Sequence, residues 1–80
     1  MSEDEIRQTI VRCLEEVAPG RDAAHVAPGE DLRDALDLDS MDFLRFVQAL
    51  KRTLGVEVPE REYPAIRTLD GCASYVAAHT

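Results

Sequence analysis

Two stretches of helical periodicity, each with its own start and stop signal, leave this chain few folds to adopt. In the first, Ser2 and Glu5 fit a capping box, and Ile6, Ile10, Cys13, Leu14 and Val17 follow at helical spacing. Pro19-Gly20 stops the run after Ala18, so a helix is expected over about residues 3–17. The second stretch starts at Asp39, with Asp42 three positions on, and carries an apolar stripe of Phe43, Val47, Leu50 and Leu54, flanked by Leu44 and Phe46. Gly55 is placed as a C-terminal glycine, which bounds this helix to about 40–54.

Between them lies the longest non-periodic stretch, residues 19–39, punctuated by Pro19, Gly20, Pro28 and Gly29. Loops this long are uncommon in a compact domain unless something pins them. Leu32, Leu36 and Leu38 are the expected pins, with a helical turn near residues 31–36. Val56-Glu57-Val58-Pro59 reads as extended, and Tyr63-Pro64-Ala65-Ile66 as one short helical turn over about 62–66, with proline near its start. Thr68 caps a last helix over about 69–78, whose Leu69, Cys72, Ala73 and Val76 face inward. Gly71 weakens that helix by about 1 kcal/mol relative to alanine. The expected fold is all-α: one domain over residues 1–80, three main helices, one short helix and a long first loop. Phe43, Phe46 and Leu50 are read as core.

Eighty residues bury only about 60% of their unfolded surface, so such a domain is marginally stable. Cys13 and Cys72 form neither a zinc pattern nor a secreted disulfide framework and read as buried, inert thiols. The acidic N-terminus lacks a signal-peptide pattern, and no apolar run approaches the roughly 18 residues of a membrane span. A cytoplasmic, monomeric protein is expected.

Residues 1–40 carry 11 acids and 4 bases, net −7, while residues 41–80 carry 5 of each. An acidic half repels phosphate backbones, so nucleic acid is a poor partner. Calcium fares no better: counted from Asp31, the EF-hand glycine and glutamate positions hold Leu36 and Asp42, and counted from Asp37 they hold Asp42 and Gln48. No metal site is expected. Nor is an enzyme. His25 and His79 lie far from Ser40 in sequence, and a serine without a base is a poor nucleophile. What remains is a hydroxyl at a helix N-terminus, placed for another protein to modify.

The order of helix, long loop, Asp39-Ser40-Met41 at the start of a second helix, Val58-Pro59, short turn and last helix resembles the acyl carrier protein family over roughly residues 3–79. The resemblance implies that Ser40 anchors 4′-phosphopantetheine, transferred from coenzyme A by a phosphopantetheinyl transferase. It implies that acyl groups ride on the cofactor's thiol to acyl-loading and acyl-processing enzymes. Asp37 stands where the family often has glycine. Asp39, Met41, Asp42, Leu44, Arg45, Gln48, Lys51 and Arg52 are the implied partner-docking residues. Typical fatty-acid-synthesis members carry glutamates where this chain has Arg45, Lys51 and Arg52, so a two-part surface is expected, acidic at the serine and basic further along. That points to a dedicated polyketide or specialised lipid pathway. The alternatives are a free-standing aminoacyl or peptidyl carrier and an unmodified helical adaptor.

Overall fold

The computed structural model describes residues 1–80. Four α-helices follow in order: α1 (Glu3–Val17), α2 (Leu32–Ala35), α3 (Ser40–Leu54) and α4 (Leu69–His79). Tight 3₁₀ turns occupy Ala23–His25 and Glu60–Ile66. There are no strands, only an isolated bridge between Asp31 and Thr68. α1 packs against α3 and α4, and α4 against the Glu60–Ile66 turn.

Local signals set the helix ends. The Glu5 N–H donates to Ser2 Oγ and the Ser2 N–H donates to Glu5 Oε1, each at 3.2 Å, which satisfies two of the donors a helix start leaves free. Glu3, Asp4 and Glu5 add negative charge at the positive end of the α1 dipole. At the other end the Ala18 N–H reaches the Leu14 carbonyl at 2.9 Å, and Gly20 takes φ +84° to turn the chain away. α3 stops at Gly55, whose φ of +70° is left-handed and whose N–H donates to the Lys51 carbonyl.

The apolar stripes meet in one core of 21 buried residues, with no polar or charged residue among them. Phe46, Leu50, Ile10, Leu14 and Ile66 lie at its centre, each contributing about 1.5–3 kcal/mol on burial. The two cysteines are part of this core. Val56 and Val58 bury from the extended segment after α3.

The long first connection is ordered because it is tied at both halves. Leu32, Leu36 and Leu38 are all buried, as is Ala23 from the first 3₁₀ turn. The Leu32 N–H donates to the Arg67 carbonyl at 2.7 Å, and the Asp70 N–H to the Pro28 carbonyl at 3.0 Å. Arg67 also pairs with Asp31 at 2.8 Å. These bonds fasten the loop to the corner where α4 begins. Arg21 crosses the loop itself, donating to the Leu36 carbonyl at 2.9 Å. The short helix α2 is capped by Asp31, which accepts from the Arg33 and Asp34 amides.

Two expectations shift. The second 3₁₀ turn starts at Glu60, where the Glu62 N–H finds the Pro59 carbonyl at 2.8 Å, so Pro64 sits inside the turn and not near its start. Gly71 is more than a weak spot in α4. A Cβ at that position would fall under 3.0 Å from the Ala65 carbonyl oxygen, so the missing side chain is what lets α4 close against the Glu60–Ile66 turn.

Candidate functional site

The site is built at the start of α3. Asp39 caps the helix, its carboxylate accepting from the Asp42 N–H at 2.8 Å, while Asp42 accepts from the Asp39 N–H at 3.2 Å. This reciprocal box fixes the first turn and leaves Ser40, its first residue, exposed. The chain reaches that position through Asp37, the one non-glycine residue with positive φ, at +51°. The left-handed region favours glycine and tolerates aspartate, which explains why either can precede such a serine. Arg21 steadies the same bend by a contact to the Asp37 carbonyl at 3.3 Å.

Beside Ser40 opens a groove of about 350 Å³, lined by Arg33, Ser40, Phe43, Leu44, Glu60 and Tyr63. Its apolar wall is held by edge-on packing of Phe43 and Tyr63, with ring centroids 5.5 Å apart, and by Phe43 against Phe46 at 6.0 Å. Arg33 reaches over from α2, its Nη2 donating to Ser40 Oγ at 3.4 Å and its Cζ lying 6.0 Å from the Phe43 centroid.

Neither histidine serves Ser40. His25 pairs with Asp22 at 2.6 Å, which raises its pKa above the ordinary histidine value, and His79 meets the Tyr75 carbonyl and stacks on the Tyr75 ring. The only side chain bonded to the serine hydroxyl is a guanidinium, a donor that cannot take its proton. The geometry presents a hydroxyl without activating it. Both thiols are equally unready. Burial pushes Cys72 up to about 12 and Cys13 above the ordinary thiol value, the latter offset in part by a hydrogen bond with Thr53.

Of the sequence-predicted docking residues, Asp39, Met41, Leu44, Arg45, Gln48, Lys51 and Arg52 are exposed, and Asp42 is half-buried in its capping role. Met41 and Leu44, 59% and 40% exposed, are the large apolar side chains left uncovered near the serine. The charge reading needs correction. Arg45 pairs with Asp42 at 3.2 Å, Lys51 with Glu57 at 3.3 Å, and Arg52 with Glu16 of α1. The far part of α3 is a row of ion pairs and not a free basic surface. The pairs of Lys51 and Arg52 are not readable along α3 because Glu57 and Glu16 lie outside it, whereas Asp42 stands three positions before Arg45 in the same helix.

Sequence reasoning also missed Arg33, Glu60 and Tyr63 as neighbours of Ser40. Arg33 is seven positions before the serine, and only the bend at Asp37 folds it back. Its one sequence signal was a cation in an otherwise acidic stretch.

Comparison with known proteins agrees with this geometry. The family profile described as a phosphopantetheine attachment site matches residues 8–76. An acyl carrier protein of Rubrobacter xylanophilus is 29% identical over 91% of this chain and 94% of its own length. One from Thermobifida fusca is 31% identical over 94% of each. One from Acidothermus cellulolyticus is 30% identical over the full chain and 94% of its own length. The chain therefore belongs to the acyl carrier protein family, whose members are non-catalytic carriers of covalently attached 4′-phosphopantetheine.

Proposed function

We propose that Ser40 is the attachment residue and that this carrier serves a dedicated set of enzymes, in a polyketide or specialised lipid pathway. The observation that carries the first part is the exposed Ser40 on the first turn of α3, among the residues that line a half-apolar groove. A modifying enzyme needs a hydroxyl on a rigid, accessible element. The Asp39–Asp42 box supplies the rigidity and the bend at Asp37 the accessibility.

In the attachment step, Ser40 Oγ attacks the pantetheine-side phosphorus of coenzyme A. The phosphoanhydride bond breaks, adenosine 3′,5′-bisphosphate leaves, and the hydroxyl proton passes to a base of the transferase. This chain offers no such base, so the transferase supplies it. The bound cofactor contributes a terminal thiol that carries an acyl group as a thioester. The chain's own contributions are position and recognition. Phe43, Leu44 and Tyr63 give the groove an apolar wall beside the anchor, and Met41 and Leu44 present apolar contacts that a partner can cover. Tethering raises the effective concentration of one substrate at each partner in turn.

The dedicated-pathway reading rests on Arg45, Lys51 and Arg52. Housekeeping partners that dock basic patches on glutamates would meet cations here, each already matched to an acid. A uniformly basic patch would find no free glutamates on this stretch and would have to compete with Arg45, Lys51 and Arg52 for their acids. Partners fitted to this carrier would accept alternating charge along α3.

The test has two stages. Incubation with coenzyme A and a broad-specificity transferase should add the cofactor mass, and Ser40→Ala should abolish the gain. A gain that survives Ser40→Ala would move the anchor elsewhere. The loaded protein is then assayed with housekeeping ketosynthase and malonyl-transfer enzymes, and efficient turnover with both would end the dedicated-pathway reading.

A further inference from the structure

In an acidic protein a cation without a carboxylate partner is conspicuous. Of the nine lysines and arginines, Arg7, Arg45, Lys51, Arg52 and Arg67 pair with acids, and Arg21 donates to two carbonyls. Arg33 does neither. It is half-buried, its guanidinium lies over the Phe43 ring, and its Nη2 touches Ser40 Oγ at 3.4 Å. The surroundings make this stranger: Asp37, Asp39 and Asp42 crowd the same bend, and Glu60 lines the same groove. None of them comes within 4.0 Å of the Arg33 guanidinium as an ion-pair partner.

We infer that Arg33 is the counter-charge for the phosphodiester on Ser40, an inference that rests on Ser40 being the attachment residue. The chemistry is direct. Phosphorus would bond to Oγ, the very atom Arg33 contacts, so its anionic oxygens lie one bond beyond that phosphorus. A guanidinium presents five donors in a planar fork suited to phosphate oxygens. The guanidinium lies over the Phe43 ring, Cζ 6.0 Å from its centroid, a cation–π contact that favours holding it beside Ser40. The cation also offsets a local problem. A phosphodiester beside Asp37, Asp39, Asp42 and Glu60 adds one more negative charge to four, and Arg33 is the nearest positive charge to the anchor.

Arg33 and Ser40 line one groove together with Phe43, Leu44, Glu60 and Tyr63. An ion pair at Arg33 holds the root of the arm beside this groove, so Arg33 is a positioning residue. It takes no part in acyl chemistry.

The test compares apo and phosphopantetheinylated forms of the full chain for wild type, Arg33→Gln and Arg33→Lys, with loading verified by intact mass. Each variant's own apo form is the reference, so any effect of the substitution on folding cancels. In low salt the shift in Tm from apo to loaded form should be more favourable in wild type than in Arg33→Gln by about 2–4 °C. The difference should largely vanish in 1 M salt, where screening acts within about 3 Å. The ³¹P resonance of the loaded protein should move in Arg33→Gln and lie between the two in Arg33→Lys, which keeps charge but loses the fork. Equal Tm shifts and an unmoved ³¹P resonance in loaded Arg33→Gln would overturn the inference while leaving Ser40 as the anchor. Absence of a mass gain in wild type would remove the anchor and the inference together.

Discussion

Replacing Gly71 with alanine should destabilise the protein, although alanine is the better helix former. Gly71 lies in the first turn of α4, where alanine gains up to about 1 kcal/mol in helix propensity. Against that, the added Cβ would lie under 3.0 Å from the Ala65 carbonyl oxygen and 3.4 Å from its carbon. Both are backbone atoms of a tight turn and cannot swing aside like a side chain. The same Cβ would also sit 3.0 Å from Thr68 Oγ1, the cap that accepts from the Gly71 N–H at 2.9 Å. Overpacking costs about 1–3 kcal/mol, and a disturbed cap adds about 1 kcal/mol. The net expectation is a loss of about 2 kcal/mol, which lowers Tm by roughly 10 °C in a domain this small. Gly29→Ala is the matched control. A Cβ there meets nothing within 4 Å and its φ is not positive, so alanine should raise stability by about 0.4–1 kcal/mol through the unfolded chain. Thermal or urea unfolding of both variants measures the pair. A Gly71→Ala protein as stable as wild type would refute the packing argument.

The remaining predictions concern the thiols, the bend and the first helix. With Cys72 raised to about 12 and Cys13 raised as well, a thiol reagent at pH 8 should label neither cysteine in the folded apo protein, both on unfolding, and one fast thiol per chain after cofactor loading. Fast labelling of folded apo protein would contradict the burial of both. Asp37→Ala should lose about 1 kcal/mol by placing alanine in the left-handed region, while Asp37→Gly should be more stable than Asp37→Ala by a similar margin. Glu5 has its pKa lowered by the Ser2 N–H and then the Ser2 side chain, so its contribution to α1 is complete above the ordinary glutamate value and is lost as pH falls through the lower folded value. Acid titration followed by NMR should show the Ser2 and Glu5 amides changing together in that window, and Glu5→Gln should remove the transition.

The helices were legible in the sequence because each carried signals within itself. Ser2 with Glu5, Asp39 with Asp42, Gly55 and Thr68 are contacts three or four positions apart, and such contacts depend little on the rest of the fold. The place of Ser40, on the first turn of α3 after its Asp39 cap, was legible for the same reason. The loop was harder. Its three leucines told that it is pinned, but its ties to Arg67 and Asp70 are pairings across more than thirty positions. Gly71 was misread because propensity is a property of one helix, whereas its role is set by Ala65 in the preceding turn. Arg33 was invisible as a neighbour of Ser40 until the positive φ of Asp37 turned the chain back.

Charge shows the same limit most sharply, and it bears on partner choice. Read along α3, Arg45, Lys51 and Arg52 form a basic row; in the fold each has an acid beside it, so the row is close to neutral from a distance. Long-range steering then comes from elsewhere, from the acid excess of residues 1–40, much of it in the loop that leads to Ser40. Close contact is a different matter. Exposed pairs of this kind are worth only about 0–1 kcal/mol each, so an arriving surface can exchange them for its own. In the proposed docking the loop attracts a basic partner toward the serine, Met41 and Leu44 give it apolar contact, and the pairs along α3 discriminate last, rewarding a surface that offers both signs and penalising one that is uniformly basic.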